Sequence, residues 1–317
     1  MAMKLEHLRA FDAIARAGTF TRAAEQLFIA QPSLSRQVAA LEAELGTPLF
    51  RRGAAGAALT AAGELLLPIA RRMFAEERVA HEQLDELAGL RRGSVRLGAP
   101  PTLCVSLVAD VLAAFRGAHP GVDLHITEGG SGLLMEALQE GALDLALVVT
   151  RDARPVPAAI EVVPLLSEEL VVVSGEGHHL QHEVSLAELA RVPQVAFNRG
   201  YDLRVATDAA FAAAGLTPAI AVEGAEMDAV LRFVERGIGV AVVPAMVVVD
   251  RPGLRSARLV RPSLCRTVNL ARRADVQPSA ASTAMQHFVF TTVERLAAAD
   301  TELSRRVTAA SALAPGS

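Results

Sequence analysis

TFTRAAEQLFIAQPSLSRQVAALEAELGTPLFRRGAAGAALTAAG, Thr19 to Gly63, is the stretch from which the rest of the chain can be read. At its centre, Pro32 to Leu45 predicts a helix, with Pro at the first helical position where its missing N–H costs nothing. Leu34, Val38, Leu41 and Leu45 recur at steps of four, three and four, which gathers them into one narrow apolar seam. The opposite side carries Pro32, Arg36, Ala39 and Ala43, flanked by Ser33 and Ser35, with Gln31 at the entrance. Small side chains permit close approach to a surface, and Gln, Ser and Arg hydrogen-bond base edges and phosphates in a major groove.

Upstream, Thr21 to Leu27 predicts a short helix with Thr21 as its cap and Ala23, Ala24 and Leu27 facing inward. Its free N–H groups suit a phosphate. Only Phe28, Ile29, Ala30 and Gln31 separate the two helices, a turn short enough to force an angled helix-turn-helix pair. Downstream, Gly46, Thr47 and Pro48 stop the second helix, Leu49 and Phe50 return to the core, and Arg51, Arg52 and Gly53 project as a basic wing.

This run closely resembles the N-terminal winged helix-turn-helix of LysR-type transcriptional regulators. The residues that carry the likeness are Phe20, Thr21, Ala23, Ala24, Leu27, Gln31, Pro32, Ser35, Arg36, Leu41, Glu42, Leu45, Gly46, Leu49, Phe50, Arg51, Leu59, Thr60, Ala62 and Gly63.

Composition agrees with a globular protein of two or three domains: 317 residues, 51% apolar and 21% charged. No secretory leader is visible and no run approaches the ~20 apolar residues of a membrane span, so the expected location is the cytoplasm. The two cysteines, Cys104 and Cys265, lack metal-type spacing and suit a reducing compartment. Net charge is −4, although residues 1–60 hold seven Lys or Arg against five Asp or Glu.

Residues 4–17 predict a supporting helix. From Thr60 to about Gly89 a long helix places Leu66, Ile69, Met73, Ala80, Leu84 and Leu87 near a three-four repeat, interrupted by Glu76 and holding Pro68 in its interior. Such a seam finds its cover in a second copy or along the protein's own body; the resemblance makes it the dimerising linker. Arg91 to Ser94 reads as a hinge, after which short strands alternate with helices, which implies an open α/β sheet. Leu170 to Val173, Gln194 to Phe197 and Thr267 to Ala271 are among the expected strands, and Thr102 to Ala118, Tyr201 to Ala213 and Ser279 to Ala299 among the helices.

The resemblance implies an α plus α/β architecture: a winged helix-turn-helix over 1–60, a linker helix over 61–92, and a two-lobed α/β effector domain over 93–299 like type 2 periplasmic binding proteins. Lobe I takes about 93–166 and 267–299, lobe II about 167–266, and 300–317 reads as a loose tail.

Ligands of open α/β sheets bind beyond the carboxyl ends of strands, which selects the loops Ala99 to Thr102, Glu128 to Gly132, Thr150 to Arg154 and Phe197 to Tyr201. The resemblance then implies effector contacts at Pro101, Thr102, Gly130, Ser131, Thr150, Asn198, Arg199 and Gly200. Thr102 and Ser131 read equally as helix caps, and Arg199 or Arg151 as a carboxylate partner or a solvated arginine. A carboxylate or amino-acid-like metabolite is the expected effector class, and no cofactor is implied.

Catalysis is not expected: Gly129-Gly-Ser-Gly132 lacks the strand-to-helix context of a serine nucleophile, and His178 and His179 lie in a polar loop. Two alternatives stand beside the effector-controlled regulator: a thiol sensor, if the helix N-terminus lowers the pKa of Cys104, and a solute-binding protein, which would fit residues 94–299 but not the head. The reading implies Gln31, Pro32, Ser33, Ser35, Arg36 and Gln37 at bases or phosphates and Thr21, Arg22, Arg51 and Arg52 on the backbone of double-stranded DNA. Its other expected partners are a second copy, as dimer or tetramer, the effector, and RNA polymerase.

Overall fold

Fully buried Leu8, Phe11, Ile14, Ala23, Leu34, Val38 and Leu41 hold together the first three helices, α1 (Leu5–Ala17), α2 (Phe20–Gln26) and α3 (Gln31–Leu45). The computed structural model describes residues 3–53, 56–87, 93–150, 156–178, 180–249, 251–299, 301 and 303–310. It divides into two units, Met1–Leu90 with Gln139–Ala142 and Arg91–Leu138 with Leu143–Ser317.

In the first unit α3 ends because Gly46 takes a left-handed conformation (φ 69°) and its N–H closes on the Glu42 carbonyl. The wing follows as an antiparallel pair, β1 (Phe50–Gly53) and β2 (Gly56–Leu59). The Glu42 carboxylate accepts the N–H groups of Leu49 (2.7 Å) and Phe50 (3.3 Å), which ties the wing to α3. Phe50 packs on Phe11 and Phe20, with ring centroids 5.4 and 5.7 Å away.

Next comes α4 (Ala61–Leu87), seated by Thr60, whose hydroxyl donates to the Pro48 carbonyl and accepts the Gly63 N–H. Gly63 has no room for a side chain, since a Cβ there would lie 2.4 Å from the Leu49 oxygen. Leu66 and Ala70 join the head's core, whereas Leu65 and Leu84 are 68% and 62% exposed. Pro68 lies inside this helix.

Three expectations need correction here. The cap of α2 is Thr19, not Thr21: its extended backbone directly precedes the helix and its hydroxyl accepts the Arg22 N–H at 3.3 Å. Leu27 and Leu45 are substantially exposed, because each sits at the end of its helix, past the edge of the core.

The second unit opens with β3 (Gly93–Ala99), α5 (Pro101–Leu103), a π-helical turn over Cys104–Val108, α6 (Ala109–Ala118), β4 (Val122–Glu128), α7 (Ser131–Gln139) and β5 (Leu145–Thr150). Gly93 and Ser94, read as hinge, already pair with Val122 and Asp123 in β3, while Arg91 and Arg92 lie outside the described residues. Residues 101–118 are long and apolar enough to meet the lower limit for a membrane span, contrary to the sequence reading. They pack into a core instead: Leu103, Leu107, Val111 and Phe115 are buried with Leu97, Leu145 and Val289.

Then β6 (Ile160–Ser174) runs on as one strand of 15 residues. Lobe II adds β7 (Glu183–Ser185), α8 (Leu186–Leu189), β8 (Gln194–Phe197), α9 (Asp202–Ala213), β9 (Ile220–Ala225), α10 (Met227–Glu235), β10 (Ala241–Pro244), a 3-10 turn over Ala245–Val248 and β11 (Arg255–Val260). The chain returns through β12 (Cys265–Arg273) and α11 (Ala280–Ala298), and ends its described part in β13 (Val307–Ala309). The sheet runs in the order β4-β3-β5-β12-β6-β11-β7, with β10 and β13 also pairing with β6. Strands β3, β4 and β5 are parallel, and β12 is antiparallel to both β5 and β6.

The expected strand Leu170 to Val173 is only the C-terminal part of β6, which crosses the lobe boundary unbroken. Those residues are buried continuously because β10 and β11 flank them, the setting in which an unbroken β-branched run is expected. The 300–317 segment is not loose throughout: Val307, Thr308 and Ala309 pair with Glu168, Ser167 and Leu166 of β6. It does so because Val307 and Ala309 have an apolar core to enter.

Candidate functional site

On the head, Gln31, Pro32, Arg36, Ala39 and Ala43 are exposed along one side of α3, Ser33, Ser35 and Gln37 are half-buried, and Leu34, Val38 and Leu41 are turned inward. The periodicity divides the helix the same way, except at Leu45. Thr21 and Arg22 are exposed on α2 and Arg51 on β1; Arg52 belongs to β1 as well, with its side chain outside the described residues. The guanidinium groups of Arg22, Arg36 and Arg51 make no ion pair among the described residues. A face of small side chains bordered by unneutralised cations can approach a polyanion closely and bind it.

The turn itself holds an unexpected feature. Phe28 has φ 53° and its side chain lies 95% exposed. Left-handed backbone is costly for a bulky residue.

In the second unit, two loops predicted from the strand ends do meet across the lobes. Gly130 faces the Gly200 carbonyl, 3.9 Å from where its Cβ would stand. Beside them Ser131, the first residue of α7, donates its hydroxyl (2.7 Å) and its N–H (3.2 Å) to one carboxylate oxygen of Asp202, the first residue of α9. The same hydroxyl accepts the Val149 N–H at 2.9 Å. Ser131 is thus a clasp between lobes, with its hydroxyl donating to one side and accepting from the other.

Thr102 is also engaged. It is buried, and its hydroxyl accepts Nη1 of Arg266 at 2.8 Å. Arg266 on β12 donates Nε to Glu168 of β6 at 2.7 Å, and the other oxygen of that carboxylate accepts the Met246 N–H at 3.2 Å. The Glu168 side chain has no exposure and that of Arg266 9%. Nη2 of Arg266 sits 2.5 Å from the same Glu168 oxygen but finds no hydrogen-bond geometry, so the pair is one-sided. This network joins lobe I, both crossing strands and the 3-10 turn of lobe II.

Pro101 opens α5, Thr150 ends β5 opposite Thr267, and the Asn198 carbonyl accepts the Tyr201 N–H at 3.0 Å. Arg199 points away to Glu223 (2.6 Å) with its side chain 79% exposed, which makes it a solvated surface arginine rather than a crevice cation. Arg151 and the rest of 151–155 lie outside the described residues. Cys104 contradicts the expectation of a lowered pKa: burial, then the neighbouring Glu128 carboxylate, pushes the thiol up to about 12. A thiol so placed stays protonated at neutral pH and is a poor nucleophile.

The comparisons with known proteins follow the same division. Residues 5–64 match the family model described as bacterial regulatory helix-turn-helix protein, lysR family, and residues 88–293 match the LysR substrate binding domain. The chain belongs to the LysR family of transcriptional regulators. It is 32% identical over 85% of its length to the uncharacterized HTH-type transcriptional regulator YybE of Bacillus subtilis, covering 92% of that protein. It is 32% identical to the HTH-type transcriptional regulator IlvR of Caulobacter vibrioides, over 87% of this chain and 95% of that one. Among solved structures, CbnR, a LysR family transcriptional regulator, superposes with TM-score 0.68 at 26% identity, over 92% of this chain and 99% of that one. A full-length OxyR from Pseudomonas aeruginosa shares the fold at 24% identity and TM-score 0.68.

This LysR-type regulator is therefore a DNA-binding protein with a helix-turn-helix head and a two-lobed domain of the effector-binding type. Three residues that join the lobes escaped sequence reasoning: Glu168, Asp202 and Arg266. Asp202 carried a readable signal, since it stands at a helix start after a strand, where the crevice rule applies. Glu168 and Arg266 carried none, because only the β6–β12 register brings them face to face. Among the described residues no group of three or more His, Cys, Asp and Glu is placed to hold a metal.

Proposed function

We propose that this regulator reads its operator as a dimer or a dimer of dimers, with α3 in the major groove. Gln31, Pro32, Ser33, Ser35, Arg36 and Gln37 contact bases or phosphates, and Thr21, Arg22, Arg51 and Arg52 grip the backbone. One observation carries this reading: α3 exposes a side of small residues with Arg36 on it, and Arg22, Arg36 and Arg51 of the head are exposed with no ion pair among the described residues. CbnR, which has been solved in complex with its target DNA, superposes on 92% of this chain with TM-score 0.66. Exposed Leu65 and Leu84 on α4 support a second copy as cover for the linker.

A small molecule in the inter-lobe crevice sets the activity by binding one lobe arrangement better than another, and RNA polymerase reads the outcome. No catalytic step and no cofactor belong to this reading. Footprinting of the purified protein on its own upstream region across a salt series tests it. Two symmetric protected half-sites, with affinity falling steeply as salt rises, are expected; no specific protection at any salt would refute it.

A further inference from the structure

The second unit holds a cavity of about 750 Å³ that none of the residues expected at the crevice lines. Its size falls within the ~300–1,000 Å³ of small-molecule sites. One wall belongs to lobe II, with Val171 on β6, Ala245 and Val248 on the 3-10 turn and Ser256 on β11. The other is the end of α11 and the chain beyond it, with Leu296, Thr301, Leu303 and Arg306. That chain has a defined shape: the N–H groups of Thr301 and Ser304 donate to each other's hydroxyls at 3.1 and 3.2 Å, and the Arg306 carbonyl accepts the Glu169 N–H of β6 at 2.9 Å. Leu303 packs on the buried cores of both lobes, so the cavity lies where the two cores are bridged.

The lining is of two kinds. Most of it is apolar, from buried Val171 and Ala245 to half-buried Val248, Leu296 and Leu303. Its polar part, among the described residues, is two guanidinium groups, Arg251 and Arg306, and two hydroxyls, Ser256 and Thr301, with no carboxylate. Arg251 does pair with Asp228 at 3.1 Å, but the Asp228 side chain is 75% exposed. Such a solvent-screened pair is worth little, and a bound carboxylate can share its cation.

We propose that this cavity binds an amphipathic monocarboxylate, a medium-chain or aryl acid, with its apolar body against Val171, Ala245, Leu296 and Leu303 and its carboxylate toward Arg251 and Arg306. A guanidinium fork matches a carboxylate, and an apolar body gains by leaving water. A dicarboxylate would bring a second charge onto the apolar wall, and an amine would meet two like charges. Because the walls come from both lobes, the bound acid favours the lobe arrangement that encloses it, and so gives the regulator a control separate from any effector in the crevice.

The test is calorimetric titration of the full-length protein with octanoate, against octanol and acetate. It is repeated on Ala299→Trp and on an Arg251→Gln/Arg306→Gln double variant, each checked for fold by circular dichroism. Ala299 lines the cavity and is exposed, so a large side chain there fills the space without entering a core. Octanoate should bind the wild type at one site, and each variant should weaken it by a factor of about ten or more. Octanol should bind more weakly and ignore the double variant, and acetate should be inert. Octanoate binding that Ala299→Trp leaves unchanged would overturn the proposal, since the site would lie elsewhere. Octanol binding as tight as octanoate, or octanoate binding indifferent to the loss of both arginines, would overturn the acid class. Failure of octanoate to bind the wild type would refute the site.

Discussion

In the head, Arg22, Arg36 and Arg51 extend from α2, α3 and β1 with no ion pair among the described residues. In the lobes, Arg199, Arg204 and Arg266 are paired with Glu223, Asp208 and Glu168 at 2.6 to 2.7 Å. The first set is exposed on the head, whereas Arg204 and Arg266 of the second have side chains 9% exposed and Arg199 alone is paired at the surface. An exposed cation left without a protein partner beside a flat, small-residue face is available to an external polyanion. A buried cation already paired inside the fold, as Arg204 and Arg266 are, is structural.

The largest effect should come from the paired set. Arg266→Ala would strand the buried Glu168 carboxylate and cost about 3–5 kcal/mol, read as a shift in denaturant midpoint, and Glu168→Gln/Arg266→Leu should recover most of it. A loss below about 1 kcal/mol would show that water reaches the pair and that it does not hold β6 and β12 together.

Next, Arg36→Ala should weaken operator binding by about 1–3 kcal/mol with the thermal transition unchanged, and Arg51→Ala should lower the salt slope by about one. If Arg36→Ala left affinity intact in a folded protein, the docking face would be misassigned. Smaller still, Phe28→Gly should stabilise the head by about 0.5–1 kcal/mol by relieving the left-handed backbone. A loss of operator affinity in that variant would give the exposed ring a role in docking.

The smallest effect is expected at Cys104. With its thiol pushed up to about 12 from an ordinary 9.0, the protonated form is the native one. Its contribution to stability is fully present below pH about 9 and is lost as pH rises from there toward about 12. Iodoacetamide labelling of folded protein at neutral pH should therefore be slow at this position, and peroxide should leave the footprint unchanged. Rapid labelling or a peroxide-shifted footprint would restore the thiol sensor.

Local signals made the head legible. Pro32 and Gly46 bracket α3, its buried seam follows the 3.6-residue period, and the groups that build the wing, Glu42 to Leu49 and Thr60 to Gly63, lie within a few residues of one another. Where the reading slipped, at Thr21, Leu27 and Leu45, it slipped at helix ends, where periodicity no longer constrains a residue. The strand and helix alternation of the second unit was readable for the same reason, though β7, β11 and the ordered β13 were not: each pairs with a strand far along the chain, and β7 and β13 are only three residues long.

By itself, then, the sequence determined the family, the winged head, the buried and exposed sides of α3 and the two-lobed α/β plan, because these follow from periodicity, caps and short-range spacing. Only the tertiary structure decided which polar residues are engaged and which are left over. Arg266 finds Thr102 across 164 positions and Ser131 finds Asp202 across 71. Charge neutralisation between residues so distant depends on register and on lobe contact, and no local pattern in the chain records either.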